Sequence, residues 1–200
     1  MEAAAAALAA SLAGPGYGTI DEFAPAALVA ALRARIAALA AAGELRPAAV
    51  GGGAARTLRP EVRGDRLAWL DGVEDTEREL YARLEALRAA LNRELSLGLF
   101  DLECHYAAYA PGTRYVRHLD RSVRGAERVL SIVLYLNAEW QPGDGGELLI
   151  HAAAGPVRVA PTAGRLVAFL SERLEHEVLE VARERLSVVG WFRRRAHVPR

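Results

Sequence analysis

The sequence predicts a mixed, β-rich fold, in which α-helices support a sandwich, barrel or jelly roll of short strands. Up to residue 97, apolar side chains recur mainly at helical spacing. From Phe100 onward the chain breaks into short β-type runs separated by turn residues. No internal repeat or low-complexity linker interrupts it. The expected organisation is therefore one domain over 1–200, with helical support and a lid-like loop in 1–97 and a β core in 98–195.

Ala3 to Leu12 reads as a short helix stopped by Gly14-Pro15-Gly16, and Tyr17 to Ile20 as a brief strand. Pro25 suits the first position of a second helix, because its missing N–H is one the helix cannot use there. Leu28, Leu32, Ile36 and Leu39 form its apolar face, and Gly43 is placed to end it. Gly51-Gly52-Gly53 opens a loop, and Val62 to Leu70 is expected to be an extended segment or a lid. Thr76 and Glu79 have capping-box spacing ahead of a long helix whose stripe is Leu80, Leu84, Leu87, Leu91 and Leu95.

The expected strands are Leu102 to Tyr109, Tyr115 to Leu119, Arg128 to Leu136, Glu147 to His151, Val157 to Val159, Arg165 to Leu170, Glu177 to Val181 and Leu186 to Arg193. Pro111-Gly112, Gly143-Asp144-Gly145-Gly146, Gly155-Pro156 and Pro161 to Gly164 separate several of them.

Composition narrows the function classes. Acidic and basic residues balance at 25 each, so no global field draws the chain to nucleic acid or to a membrane surface. Lysine is absent, so every one of those bases is arginine. The run Arg193-Arg194-Arg195 with Arg200 reads as a solvated, charged end. Cys104 is the single cysteine, which excludes an intramolecular disulfide. The alanine-rich start carries Glu2 and lacks the positive flank of a signal peptide, and no apolar run approaches the ~20 residues of a membrane span. The cytoplasm is the expected compartment.

One constellation carries chemistry. His118 and Asp120 stand two apart at the end of an expected strand, so both side chains can face one ion. Alone, a His-x-Asp triplet is a common coincidence; His176, in a later strand, supplies a third ligand. Two histidines and a carboxylate cap one face of an octahedron and leave positions open, which suits non-haem iron(II). Structural zinc would need four closed ligands, usually with more cysteine than this chain has. His105, His151 and His197 receive no site role.

Arg185 opens a buried-looking strand and shares one face with Ser187, Val189 and Trp191. An inward guanidinium needs an anion. That anion is either an internal carboxylate or the distal carboxylate of 2-oxoglutarate held by a bidentate clamp, and the metal motif favours the clamp.

The stretch from Tyr109 to Trp191 resembles the iron(II)/2-oxoglutarate-dependent dioxygenases. Within them it is similar to the prolyl 4-hydroxylase type, and most of all to the oxygen-sensing prolyl hydroxylases and their bacterial relatives. The resemblance rests on Tyr109-Ala110-Pro111-Gly112, Tyr115-Val116-Arg117-His118-Leu119-Asp120, Tyr135-Leu136-Asn137 before Trp140, and Gly145-Gly146-Glu147-Leu148. It continues through Arg165-Leu166, Phe169-Leu170-Ser171, His176-Glu177-Val178 and the run from Arg185 to Trp191-Phe192.

The resemblance implies a double-stranded β-helix, or jelly roll, with Fe(II) at its mouth on His118, Asp120 and His176. It implies 2-oxoglutarate and O2 as cosubstrates and ascorbate as a reductant. Arg185, Tyr135, Tyr109 and Ser187 would then bind the cosubstrate. The implied reaction hydroxylates an unactivated C–H with release of succinate and carbon dioxide. The implied partner is a protein substrate with an exposed prolyl loop. Val62 to Leu70 also resembles a loop that, in the oxygen-sensing branch, closes over such a substrate; Arg63-Gly64-Asp65 within it reads as a chance match to an integrin tripeptide. Three rivals stand beside this reading: a hydroxylase of a free amino acid or other small molecule, a catalytically silent jelly-roll binding module, and a structural metal site without cosubstrate.

Overall fold

The computed structural model describes residues 2–51, 57–120 and 126–195. Three helices come from the first half: α1 (Glu2–Ala13), α2 (Ala26–Ala41) and α3 (Asp75–Leu95). Leu28, Leu32, Ile36 and Leu39 of α2 and Leu80, Leu84, Leu87 and Leu91 of α3 are buried, as their spacing requires. Gly43 follows the C-cap of α2 at φ +69, a conformation glycine adopts without strain.

Two cap expectations need correction. Pro25 is the N-cap of α2 rather than its first helical residue. Helix α3 starts two residues earlier than the Thr76–Glu79 spacing implies, at an N-cap Glu74 that makes no side-chain cap bond. Its anchor is Glu77, 1% exposed, which accepts the N–H groups of Asp71 and Gly72 and the hydroxyl of Tyr106. A buried carboxylate with three donors holds the helix start more firmly than an exposed threonine would.

The strands form two antiparallel sheets. They are β1 (Tyr17–Ile20), β2 (Arg46–Pro47), β3 (Asp65–Trp69), β4 (Asp101–Tyr109), β5 (Tyr115–His118), β6 (Ala126–Tyr135), β7 (Leu148–Ala152), β8 (Gly155–Val159), β9 (Leu166–Leu170), β10 (His176–Val178) and β11 (Arg185–Arg195). The larger sheet has the order β1-β9-β6-β11-β4-β3-β2 and the smaller β5-β10-β7-β8. This is the jelly-roll expected, with the three helices as its support.

Strand alternation then sorts the apolar residues into two cores. Leu130, Ile132 and Leu134 of β6, with Leu186, Val188 and Phe192 of β11, join the helices on one face of the large sheet. Val133, Tyr135, Val167, Phe169, Ala107 and Tyr109 face the small sheet instead. Both faces are covered, which is why these strands read as near-continuous apolar runs.

The segment from Val62 to Leu70 is part of this framework and not a free lid. Asp65–Trp69 pairs with β4 along its whole length, and Leu67 and Arg66 pair with β2 on the other edge. Before it, Val62 accepts the N–H of Val116, and Gly64 donates to Arg114. Backbone groups satisfied in this way have no reason to leave the sheet. Gly155-Pro156, expected to lie between strands, instead opens β8, paired with Ala152 and His151. No helix among the described residues is long and apolar enough to cross a membrane.

Candidate metal and cosubstrate site

The two histidines meet because β5 and β10 are neighbours in the small sheet. His118 and His176 stand directly opposite in the register, which puts their side chains on one face. Asp120 lies two residues beyond His118 and already outside β5, so strand pleating does not aim it. Ser131 of β6 aims it instead: its hydroxyl donates to Asp120 Oδ2 at 2.7 Å and lies 2.9 Å from the hydroxyl of Ser171. Asp120 thus bridges the sheets, its carboxylate oxygens 3.9 Å from His118 Nε2 and 3.6 Å from His176 Nε2.

The protonation states suit a divalent cation. Nδ1 of His118 is 2.8 Å from the carbonyl of Val116, and Nδ1 of His176 is 3.2 Å from that of Leu174. Each N–H is therefore used on a backbone acceptor, leaving the Nε2 lone pair toward the site. Burial first, and His176 second, lower the pKa of His118 to about 4. Burial alone would raise the Asp120 carboxyl, but His176, His118 and the Ser131 hydroxyl outweigh it and hold the group ionised. The three ligand atoms lie within 4.8 Å of one another. Two imidazoles that turn Nε2 to the site and a carboxylate on one side fit a facial iron(II) site with open positions.

These residues line a cleft of about 620 Å³ that Arg185 and Tyr109 also line. Arg185 is 3% exposed, and among the described residues it meets no carboxylate, so the internal ion pair weighed as its alternative partner is not there. Its Nε donates to the carbonyl of Gly146 at 2.8 Å and its Nη1 to the Ser187 hydroxyl at 3.3 Å. Gly146 sits at φ +75, and a Cβ there would come within 2.8 Å of Arg185 Cδ, so glycine is needed to seat the side chain. Ser187, expected to touch the carboxylate, meets the guanidinium itself.

The rings of Tyr109 and Tyr135 lie 5.1 and 5.2 Å from the guanidinium carbon. Tyr135 and Ser187 both lie against Arg185. The Tyr135 hydroxyl is buried without a hydrogen-bond partner, and burial pushes its pKa up to about 12. Burial likewise raises the pKa of Tyr109. An unpaired buried cation beside an unsatisfied O–H donor is an environment that a carboxylate completes.

Several residues of the cleft had no distinctive signal in the sequence. Arg63 holds Asp65 through two hydrogen bonds, of 2.7 and 3.0 Å, and Asp65 is 2% exposed. The Arg-Gly-Asp tripeptide therefore does not present its acid to a receptor. Tyr115 stacks on His118 with ring centroids 3.6 Å apart. Arg128 lies 3.6 Å above the Trp191 ring and pairs with Glu103. The tell-tale for Ser131 is its position as the one polar residue in the apolar run from Val129 to Leu134. His105 is buried between Trp69 and Trp191, away from the ligands, and His151 pairs with Glu177. His197 and Arg200 lie outside the described residues. Of the arginine run, Arg193 is held by Asp101 and Glu103, so that end is not simply solvated.

Residues 104–193 match the model of the 2OG-Fe(II) oxygenase superfamily. Among solved structures, the chain is similar to a Pseudomonas putida prolyl-4-hydroxylase: 46% identity, a TM-score of 0.87, and coverage of 95% of this chain and 99% of that one. It is also similar to a Trichoplax adhaerens prolyl hydroxylase in complex with a hypoxia inducible factor oxygen degradation domain peptide fragment. There the identity is 25%, the TM-score 0.86, and the coverage 96% and 89%. A curated relative, the Caenorhabditis elegans hypoxia-inducible factor prolyl hydroxylase, is 29% identical over 144 residues, 66% of this chain. The chain spans 20% of that relative's length.

Proposed function

The chain belongs to the 2-oxoglutarate- and iron(II)-dependent oxygenase superfamily, and from that premise we propose that it hydroxylates prolyl residues exposed on another protein. One observation carries the reading. The His118–Asp120–His176 cluster and an unpaired Arg185 share one cleft, a metal end and an anion end spaced along the same wall. Iron(II), 2-oxoglutarate and dioxygen together supply the oxidation of an unactivated C–H, with succinate and carbon dioxide as coproducts.

The residues supply geometry, charge and water exclusion. His118, Asp120 and His176 hold the metal, with Ser131 fixing the carboxylate. Arg185 receives the distal carboxylate of 2-oxoglutarate, Ser187 and Gly146 hold its guanidinium in line, and the free Tyr135 hydroxyl donates a further hydrogen bond. Tyr109 closes the pocket beside Arg185. A protein substrate is supported by the relatives, and by a cleft of about 620 Å³ that Val50, Gly51 and Val62 line together with the candidate metal ligands and Arg185.

The test compares intact protein with His118→Ala, supplied with iron(II) and 2-oxoglutarate. Intact protein should form succinate and add hydroxyl groups to prolyl peptides in a proteome digest, and the variant should do neither. Efficient hydroxylation of free proline without any protein product would point to a small-molecule substrate instead.

A further inference from the structure

We infer that Trp191, His105 and Trp69 form an electron relay from the metal cleft to the protein surface, which discharges turnovers that find no substrate. Trp191 lines the cleft with Asp120. Its ring centroid is 5.5 Å from that of His105, and the His105 ring is 5.3 Å from that of Trp69 in an edge-on contact. Trp69 is 52% exposed. Three adjacent strands build this line: His105 of β4 pairs with Trp69 of β3 and with Val189 of β11, whose next same-face residue is Trp191. The cosubstrate site uses none of the three.

The surroundings give the relay a direction. Indole is among the most easily oxidised side chains, yet the Arg128 guanidinium over Trp191 opposes a positive charge on that ring. Trp191 is only 5% exposed, so water is not at hand to take a proton from its ring. Among the described residues no guanidinium stacks on Trp69, whose exposed position lets water take a proton. Between them, burial lowers the pKa of His105 to about 4, so the bridging ring carries no charge at neutral pH. Contact with water therefore favours the oxidising equivalent at Trp69 over Trp191.

The relay rests on the iron and 2-oxoglutarate reading, which supplies the oxidant: a metal centre left oxidised when oxygen is activated with no C–H at hand. In each passage one electron leaves Trp69 and reaches that centre through His105 and Trp191. The centre is reduced by one electron. The Trp69 radical cation passes its N–H proton to water and becomes a neutral indolyl radical. A one-electron reductant in solution then returns a hydrogen atom. When that reductant is absent, the radical adds dioxygen, the peroxyl radical takes a hydrogen atom from a buffer C–H, and the resulting hydroperoxide rearranges to N-formylkynurenine.

The experiment incubates the protein with iron(II), 2-oxoglutarate, oxygen and catalase, without a protein substrate. It counts succinate and maps oxygenated tryptophan by peptide mass spectrometry. Oxygenation per succinate should concentrate at Trp69, with Trp140, outside the relay, as the internal control. Trp191→Phe should reduce Trp69 oxygenation per succinate to the Trp140 level. Trp69→Phe, an exposed and conservative change, should move the damage to Trp191, and Trp69→Tyr should draw it back to the surface. Oxygenation of Trp69 that is unchanged per succinate in Trp191→Phe, or equal to that of Trp140, would mean a dissolved oxidant and would overturn the relay. Succinate formed with intact tryptophans would overturn it too while leaving the oxygenase reading in place. No succinate at all would remove both.

Discussion

Replacing Arg185 by alanine should weaken 2-oxoglutarate binding without weakening the fold. The guanidinium is 3% exposed and has two neutral hydrogen-bond partners, Gly146 and Ser187, but no anion among the described residues. In the free protein it is a buried charge with little compensation, so its removal does not sacrifice an ion pair. With ligand bound, it makes charge-assisted hydrogen bonds of ~1.5–3 kcal/mol, a ten- to hundredfold change in affinity. Ligand-linked stabilisation reads this directly. At a 2-oxoglutarate concentration of about 100 times its Kd, intact protein with a redox-silent divalent metal gains about 2.7 kcal/mol. At the same concentration a variant tenfold weaker gains about 1.4 kcal/mol, and one a hundredfold weaker about 0.4 kcal/mol. For a domain of this size each kcal/mol moves Tm by about 2–4 °C, so the loss is visible in a thermal melt. Arg185→Lys should recover part of the shift, because an ammonium supplies charge but not the planar fork. An alanine variant that melts well below intact protein without ligand, yet gains the same shift with it, would refute the clamp and make Arg185 a structural residue.

His118→Ala, Asp120→Ala and His176→Ala should each abolish succinate formation while far-UV circular dichroism stays unchanged, since each removes one of three metal ligands. Ser131→Ala should weaken divalent-metal binding, measured calorimetrically, by about ten- to a hundredfold, because Asp120 loses the bond that aims it across the sheets. His105 gives a pH signature. Burial lowers its pKa from 6.5 to about 4 in the folded protein, so between those values the unfolded chain binds more protons and stability falls as pH falls. Urea melts between pH 7 and 4 should lose on the order of 3 kcal/mol from this group, and His105→Phe should flatten that part of the curve.

Local rules carried the sequence reading a long way. The leucine stripes of α2 and α3 and the short apolar runs after Phe100 became helices and strands where spacing put them, because burying one face is enough to specify each element. Where the reading slipped, a distant partner had replaced a local one. Glu77 anchors α3 through Tyr106 of β4, a partner 29 residues on, so the nearby Thr76–Glu79 spacing was misleading. Val62 to Leu70 read equally as an extended segment or a lid, and sheet pairing decided for the extended segment, with Asp65 buried and satisfied by Arg63.

The sequence by itself determined which residue types were available: two histidines, an aspartate and an inward arginine, in an order that matches a known chemistry. Only the tertiary structure shows how the two histidines named from the sequence come to meet. His118 and His176 join because β5 and β10 pair in register, while His105, more deeply buried than either, faces two tryptophans. Only the structure left Arg185 without a carboxylate, and the Tyr135 hydroxyl without an acceptor, among the described residues. The physical reason is that periodicity reports which face a side chain occupies, whereas a binding site depends on what stands opposite that face. That neighbour comes from strands far apart in the chain, brought together by the pairing of whole sheets.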